Sequence, residues 1–333
     1  MIEIQSLTKS YRGFTAVDDI TFRALPGRVT GFLGPNGAGK STTMRILVGL
    51  TPPTAGTATI GGRRFSSLPN PGREVGVLLD ASAQHAGRTG REILTIAQRF
   101  MGLPGRRVEE MLDLVSLSPE EASRRVRNYS LGMRQRLGIA TALIGEPRVL
   151  VLDEPANGLD PAGIRWMRDL LRDYADRGGT VLLSSHLLHE IEVVADDIVV
   201  IGNGRIVAQG AKSELLQAAG SFVRSPRRDL LEPALAQAGI VTVPSGPDAL
   251  RAEADAQLVG TVAFAAGAPV TELRPADGGG LEEMFLQLTS DTQRDTPGGT
   301  PSSSSTNSST PSSTDSSTHS STDSDTRPEG AVA

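Results

Sequence analysis

The sequence predicts an α/β fold built around a mostly parallel sheet, with a small α+β domain after it and a polar tail at the end. Three observations carry this. Apolar runs of strand length, Val29 to Leu33, Val75 to Leu79 and Val149 to Leu152, alternate with segments whose apolar residues recur at helical spacing. The stretch Gly34-Pro35-Asn36-Gly37-Ala38-Gly39-Lys40-Ser41 lies between the first of those runs and the helix-like Thr42 to Val48. Composition then shifts after residue 211, and again at Asp291, where Ser and Thr begin to dominate.

The glycine-rich stretch matches G-x-x-x-x-G-K-[ST], a pattern with a mechanism. Glycines let successive backbone N–H groups curl around phosphate oxygens, and the helix start adds a favourable dipole. Lys40 would place a charge between terminal phosphates, and the Ser41 hydroxyl would supply one oxygen to Mg²⁺.

Upstream, Ile2 to Leu7 and Val17 to Phe22 alternate like half-buried strands, with Tyr11 in the loop between them. Tyr11 there is either a packing residue or a ring that stacks on a base. Downstream, Thr57 to Ile60 reads as a strand between Pro52-Pro53 and Gly61-Gly62. Asp80 closes the Val75 to Leu79 run, either as a solvated strand-end carboxylate or as a group that reaches metal or water.

From Thr89 the period becomes helical. Ile93, Leu94, Ile96, Ala97, Phe100 and Met101 form one apolar stripe; Val108, Met111, Leu112, Leu114, Val115 and Leu117 form another. Ser130 and Gly132 then open a further helix, as a plain N-cap or as a second anion cradle. Val149 to Leu152 ends in Asp153 and Glu154, where a parallel sheet presents its ligand-binding edge. Asp153 would hold Mg²⁺ through water, and Glu154 could accept a proton from attacking water. The turn Asn157 to Pro161 starts a helix containing Ile164, Met167, Leu170 and Leu171. Thr180 to Ser184 is a strand with His186 at its tip, placed to donate to a terminal phosphate, while His189 reads as a surface residue. Asp197 to Ile201 and Arg205 to Ala208 form a closing hairpin.

Residues 212 to 290 contain strand-length pieces at Ile240 to Val243 and Leu258 to Phe264, with helical pieces at Leu230 to Ala238 and Leu281 to Leu288. Residues 291 to 333 lack the apolar content to offset ordering entropy and are expected to be disordered. The chain has 333 residues, 38% of them hydrophobic, with no cysteine and a formal net charge of −5. That excludes disulfides and thiolate chemistry and gives no general basic field for nucleic acid. No signal peptide and no eighteen-residue apolar span is read, so a membrane role is expected through a partner.

In this order, the motifs of residues 1 to 211 resemble the ATPase subunit of ATP-binding cassette (ABC) transporters. Gly34 to Ser41, with Thr42 following, resembles the Walker A loop, Val149 to Asp153 the Walker B strand, and Glu154 the catalytic glutamate. Ser130-Leu131-Gly132-Met133 is similar to the signature motif, Asn157 to Asp160 to the D-loop, His186 to the switch histidine, and Tyr11 to the adenine-stacking aromatic. The resemblance implies a P-loop NTPase cassette: a RecA-like core with an antiparallel β subdomain and a helical subdomain. It also implies ATP and Mg²⁺ as cofactors, with Ser41, Asp153 and Asp80 at the metal, and a homodimer in which Ser130 to Met133 act on the nucleotide in trans. Partners would be integral membrane permease subunits, with the chain cytoplasmic and peripheral on the inner face of the cell membrane. Two positions depart from the family pattern: Met133 and Asp80 stand where glutamines are usual. Residues 212 to 290 resemble the accessory domain of drug-export and self-resistance ATPases, and an exporter of amphipathic compounds follows. The alternative is a soluble ABC ATPase acting on ribosomes or DNA.

Overall fold

The computed structural model describes residues 1–186, 191, 193–217 and 220–275. His189, the Leu281 to Leu288 piece and the tail lie outside the described residues.

The centre is a six-stranded sheet. Its strands β3 (Arg28–Leu33), β5 (Val75–Leu78), β6 (Val149–Asp153), β7 (Thr180–Ser185), β8 (Asp197–Gly202) and β9 (Arg205–Ala211) lie in the order β5-β6-β7-β3-β8-β9. All neighbours pair in parallel except β8 and β9, which form an antiparallel hairpin. A parallel sheet is covered on both faces, which explains the unbroken apolar runs. Along β6, Leu150 and Leu152 enter one core while Val149 and Val151 enter another. The period-two alternation of a strand thus distributes one run between two cores.

The first core is covered by α3 (Gly90–Phe100), α4 (Arg106–Leu114), α6 (Leu131–Leu143) and α7 (Pro161–Asp176). Between them are the short helices α2 (Pro71–Glu74) and α5 (Pro119–Ser123), while α1 (Lys40–Leu47) packs on the other side. The second core joins α1 and the sheet to an antiparallel sheet of β1 (Ile2–Tyr11), β2 (Phe14–Ala24) and β4 (Ala55–Ile60), in the order β2-β1-β4. Tyr11 is therefore the last residue of β1, paired with Phe14 across a two-residue hairpin, where the sequence suggested a loop. Of the stripe on α3, Leu94 is fully buried and Ile93, Ala97 and Met101 pack on the core. Ile96 and Phe100 are exposed, so the apolar stripe is wider than the face it buries.

After α8 (Lys212–Gln217) come β10 (Ser221–Arg224), α9 (Arg228–Gln237), β11 (Thr242–Pro244), β12 (Ala249–Ala252), α10 (Ala256–Ala265) and β13 (Glu272–Pro275). The strands form an antiparallel sheet in the order β11-β12-β10-β13, so the segment is a βαββαβ unit of ferredoxin-like topology. Leu258 to Phe264, read from sequence as a strand, belongs to helix α10. Asp255 caps it by accepting from the Leu258 N–H at 2.8 Å, and only Val259 and Ala263, four residues apart, are buried. Their i,i+4 spacing fits a helix face, whereas the strand-length apolar run suggests a strand from sequence. Strands β12 and β13, four residues each, gave no readable period.

One polar group ties layers together. Asp196 accepts from the Val29 N–H of β3 at 2.8 Å and from Arg172 of α7 at 2.8 Å. Burial acts to raise its pKa, but the Arg172 and Val29 hydrogen bonds outweigh it and hold the carboxyl below its ordinary 3.8. A depressed carboxyl contributes stability above its unfolded pKa and loses it as pH falls through the folded value. In thermal melts of the full chain, Asp196→Asn is expected to be less stable than the parent at neutral pH, with the gap closing below about pH 4. A gap independent of pH would refute this linkage.

Candidate nucleotide site

The site forms at the C-terminal ends of the parallel strands. Register does the placing: Leu33 lies opposite Ser185, and Asp153 opposite Ser184. The glycine loop that follows Leu33, the Asp153-Glu154 pair and His186 therefore share one edge of the sheet.

The loop is held by close backbone approach. A Cβ on Gly34 would lie 2.4 Å from the Ile201 carbonyl oxygen, and one on Gly39 would lie 2.6 Å from that of Ala16. Gly39 also has φ +113°, and Gly37 has φ +81° but faces open space. No side chain caps α1, so its first N–H groups remain directed at whatever occupies the loop. Ala38 is buried and donates its N–H to the Pro35 carbonyl, which closes the turn.

Lys40 is 6% exposed, with Nζ 2.5 Å from the Gly34 carbonyl and 3.7 Å from Glu154 Oε1. Burial pushes its ammonium below the ordinary lysine value, while Glu154 and Asp153 pull it back up. The opposite side of Glu154 meets His186, with Oε2 2.8 Å from Nδ1. Asp153 Oδ1 accepts a hydrogen bond from the Ser184 hydroxyl.

A cleft of about 340 Å³ is lined by Tyr11, Phe14, Ala16, Pro35, Asn36, Gly37, Gly39, Lys40, Ser41, Thr42 and Glu154. Tyr11 and Phe14 are half exposed at its mouth, and Lys9 Nζ sits 5.0 Å from the Tyr11 ring centroid. A larger cavity, about 1000 Å³, lies at the other end of the sheet beside Arg148, Gly179 and Thr180. Ligands of open α/β sheets bind at the C-terminal ends of strands, so the smaller cleft is the site the fold favours.

Ser130, Leu131, Gly132 and Met133 do not line this cleft. Ser130 caps α6 by accepting from the Met133 N–H at 3.2 Å, and Leu131 is 47% exposed. Gly132 approaches the Gly158 carbonyl so closely that a Cβ would lie 2.9 Å away, so this loop rests on the Asn157 to Asp160 turn of its own chain. Asp160 caps α7 through the Gly163 N–H at 2.9 Å. Asp80 is also outside the cleft. Its Oδ1 accepts from the Ser82 N–H and hydroxyl at 2.7 and 2.6 Å, and the Ser82 hydroxyl bond, first, lowers its pKa. Asp80 caps the short turn that follows β5, where the sequence allowed either a strand-end carboxylate or a group that reaches metal or water.

Three residues were missed from the sequence. Phe14 joins Tyr11 because the hairpin pairs them. Gln135, 3% exposed, donates Nε2 to the Glu154 carbonyl at 3.1 Å; its signal was a polar residue on the buried side of α6. Ser184 was a polar residue inside an apolar strand.

The residues fit a magnesium nucleotide. The loop combines unpaired helix-start N–H groups, a buried ammonium and an exposed Ser41 hydroxyl. Among the described residues there is no cluster of three or more His, Cys, Asp or Glu that could hold a metal alone. Mg²⁺ bound by one or two protein oxygens plus phosphates agrees with that.

The family described as ABC transporter matches residues 17–157. The bacitracin transport ATP-binding protein BcrA of Bacillus licheniformis is 40% identical over 212 residues, covering 63% of this chain and 69% of that protein. The daunorubicin/doxorubicin resistance ATP-binding protein DrrA of Streptomyces peucetius is 40% identical over 227 residues, 67% of this chain and 68% of its own length. Among solved structures, an ATP-binding subunit of an ABC transporter is 30% identical with a TM-score of 0.60, covering 65% of this chain and 91% of that one. A bacterial ABC transporter cassette solved as a dimer shares the fold at 22% identity and a TM-score of 0.59, covering 63% and 98%.

The strained glycine gives a test. Gly39→Ala is expected to weaken binding of a fluorescent ATP analogue by about tenfold or more, since the left-handed backbone and the Ala16 contact each oppose a side chain. Gly37→Ala, with open space around it, is expected to lose less; equal losses would mean that the close approach is unimportant. With this fold, this cleft and relatives of this extent, the chain belongs to the ATP-binding proteins of the ABC transporter family.

Proposed function

We propose that this chain is the ATPase subunit that powers a separately encoded membrane permease, exporting drug-like or other amphipathic compounds. The observation that carries the ATPase reading is Glu154, held between Lys40 and His186 at the mouth of the phosphate loop. The export reading rests on the resistance and bacitracin-transport relatives. Among the described residues, no helix is long and apolar enough to cross a membrane, so the permease is assigned to other chains. The subunit would then sit on the inner face of the cell membrane through that contact.

Tyr11, with Phe14 beside it, would stack on the adenine. Backbone N–H groups of Gly37 to Thr42 and the Lys40 ammonium would hold the phosphates of ATP. Ser41 and Asp153 would hold Mg²⁺, which supplies charge neutralisation at the phosphate oxygens. Glu154 would orient the attacking water and take its proton, while His186 would donate a ring N–H to the γ-phosphate once the nucleotide is bound. One chain leaves the γ-phosphate open on the side away from its loop. Ser130 and Gly132 of a second copy would close it, which makes the working unit a homodimer. The Asn157 to Asp160 turn, packed under that loop, would carry the contact from one site to the other.

Glu154→Gln is expected to lower the ATPase rate by about a hundredfold or more while ATP binding persists and a closed dimer accumulates on size-exclusion chromatography. Turnover at the parent rate would remove Glu154 from this role. In vesicles carrying the permease, an amphipathic cargo should raise the ATPase rate of the complex. A complex stimulated by no cargo of that class would overturn the export reading alone.

A further inference from the structure

We infer that Ser184 is a positioning residue for ATP hydrolysis, clamping the metal-side carboxylate and the water-side glutamate into one unit. The inference rests on the roles proposed for Asp153 and Glu154.

Ser184 is fully buried on β7, opposite Asp153 of β6 in the strand register. Its hydroxyl donates to Asp153 Oδ1 and accepts from the Glu154 N–H at 3.1 Å. These two bonds fix each other's direction. An ionised carboxylate has no proton to give, so the single hydroxyl proton points to Asp153 and leaves a lone pair for the amide of Glu154. The Glu154 N–H is shared with the Ser184 carbonyl at 3.2 Å, so backbone and side chain of one residue grip one amide.

The grip matters because Glu154 has φ +50°, a left-handed conformation that a non-glycine residue adopts only when its surroundings hold it there. At that angle the chain turns off the strand and aims the Glu154 side chain between Lys40 and His186. From the other side, Gln135 holds the Glu154 carbonyl. Ser184 thus bonds both acids through one hydroxyl. On β7, Val181, Leu182 and Leu183 are apolar and fully packed, while Thr180 and Ser185 are also buried hydroxyl residues, so the test must separate the hydroxyl of Ser184 from its packing. His186 follows two residues later, so the clamp also sets where the histidine leaves the sheet.

The test uses the full-length chain and four variants: Ser184→Ala, Ser184→Thr, Ser184→Val and Glu154→Gln. Thr keeps the hydroxyl, and Val has the shape of Thr without it. Loss of a hydrogen bond to a charged group is expected to lower kcat about tenfold to a hundredfold in Ala and Val, with KM for ATP within about twofold. A readout independent of turnover is the Mg²⁺ concentration that gives half-maximal thermal stabilisation in the presence of ATP. It should rise severalfold in Ala and Val and return toward the parent value in Thr. Parent-like kcat and Mg²⁺ dependence in Ser184→Ala, with Glu154→Gln inactive, would overturn the clamp and leave the ATPase roles standing. Equal impairment of Thr and Val would make Ser184 a packing residue and overturn it too. A Glu154→Gln variant hydrolysing at the parent rate would overturn the underlying roles, and the clamp with them.

Discussion

The register of three adjacent parallel strands, β6, β7 and β3, is the constraint on which the rest depends. Leu33 beside Ser185 and Ser184 beside Asp153 fix where each strand ends. From those ends leave the glycine loop, the acidic pair and the histidine. A slip of one residue would turn every side chain on the slipped strand to the opposite face. The two-sided burial of β6 and β7 resists that slip, since Val149, Val151 and Leu182 belong to one core while Leu150, Leu152 and Leu183 belong to the other. Apolar packing, which has no direction, thereby positions polar groups that need one.

Backbone proximity then sets which residues the loop accepts. Gly34 lies against Ile201 of β8 and Gly39 against Ala16 of β2, so the loop is pinched between the central sheet and the antiparallel one. The pinch buries Lys40, which brings a desolvation cost that Glu154 and Asp153 offset only in part, while the Gly34 carbonyl accepts a hydrogen bond from the ammonium. Phosphate oxygens entering the loop would give this buried ammonium further charge-assisted partners.

Much of this was legible in the sequence. The loop, the Walker B strand with its acids, and His186 were readable because each is a local pattern in a strand-to-loop transition. What was not legible was pairing between residues far apart along the chain. Ser184 and Gln135 look like stray polar residues until the fold brings them within 3.1 Å of Glu154. Phe14 lacked a motif and gained its place from the hairpin register alone. Asp80 stood at a strand end in the sequence, and only the fold shows that its carboxylate takes the hydroxyl and N–H of Ser82 two residues on. In the βαββαβ unit, Leu258 to Phe264 misled because one hydrophobic face of a short helix and a short buried strand have the same composition.

The geometry around Ser130 explains what a second copy would bring to the proposed dimer. Ser130 accepts from the Met133 N–H, so its hydroxyl proton remains for a phosphate oxygen, while Gly132 keeps the loop low against Gly158. Met133 has no side-chain donor to add where a glutamine would have one. The contribution across the interface is then a hydroxyl and backbone N–H groups, each worth about 1 kcal/mol net when neutral and more against a charged phosphate. In the proposed dimer those bonds would form only with a nucleotide between the two faces and would be lost once its terminal phosphate leaves. A loop without the glutamine amide therefore makes closure depend more heavily on that phosphate, and opening after hydrolysis correspondingly easier.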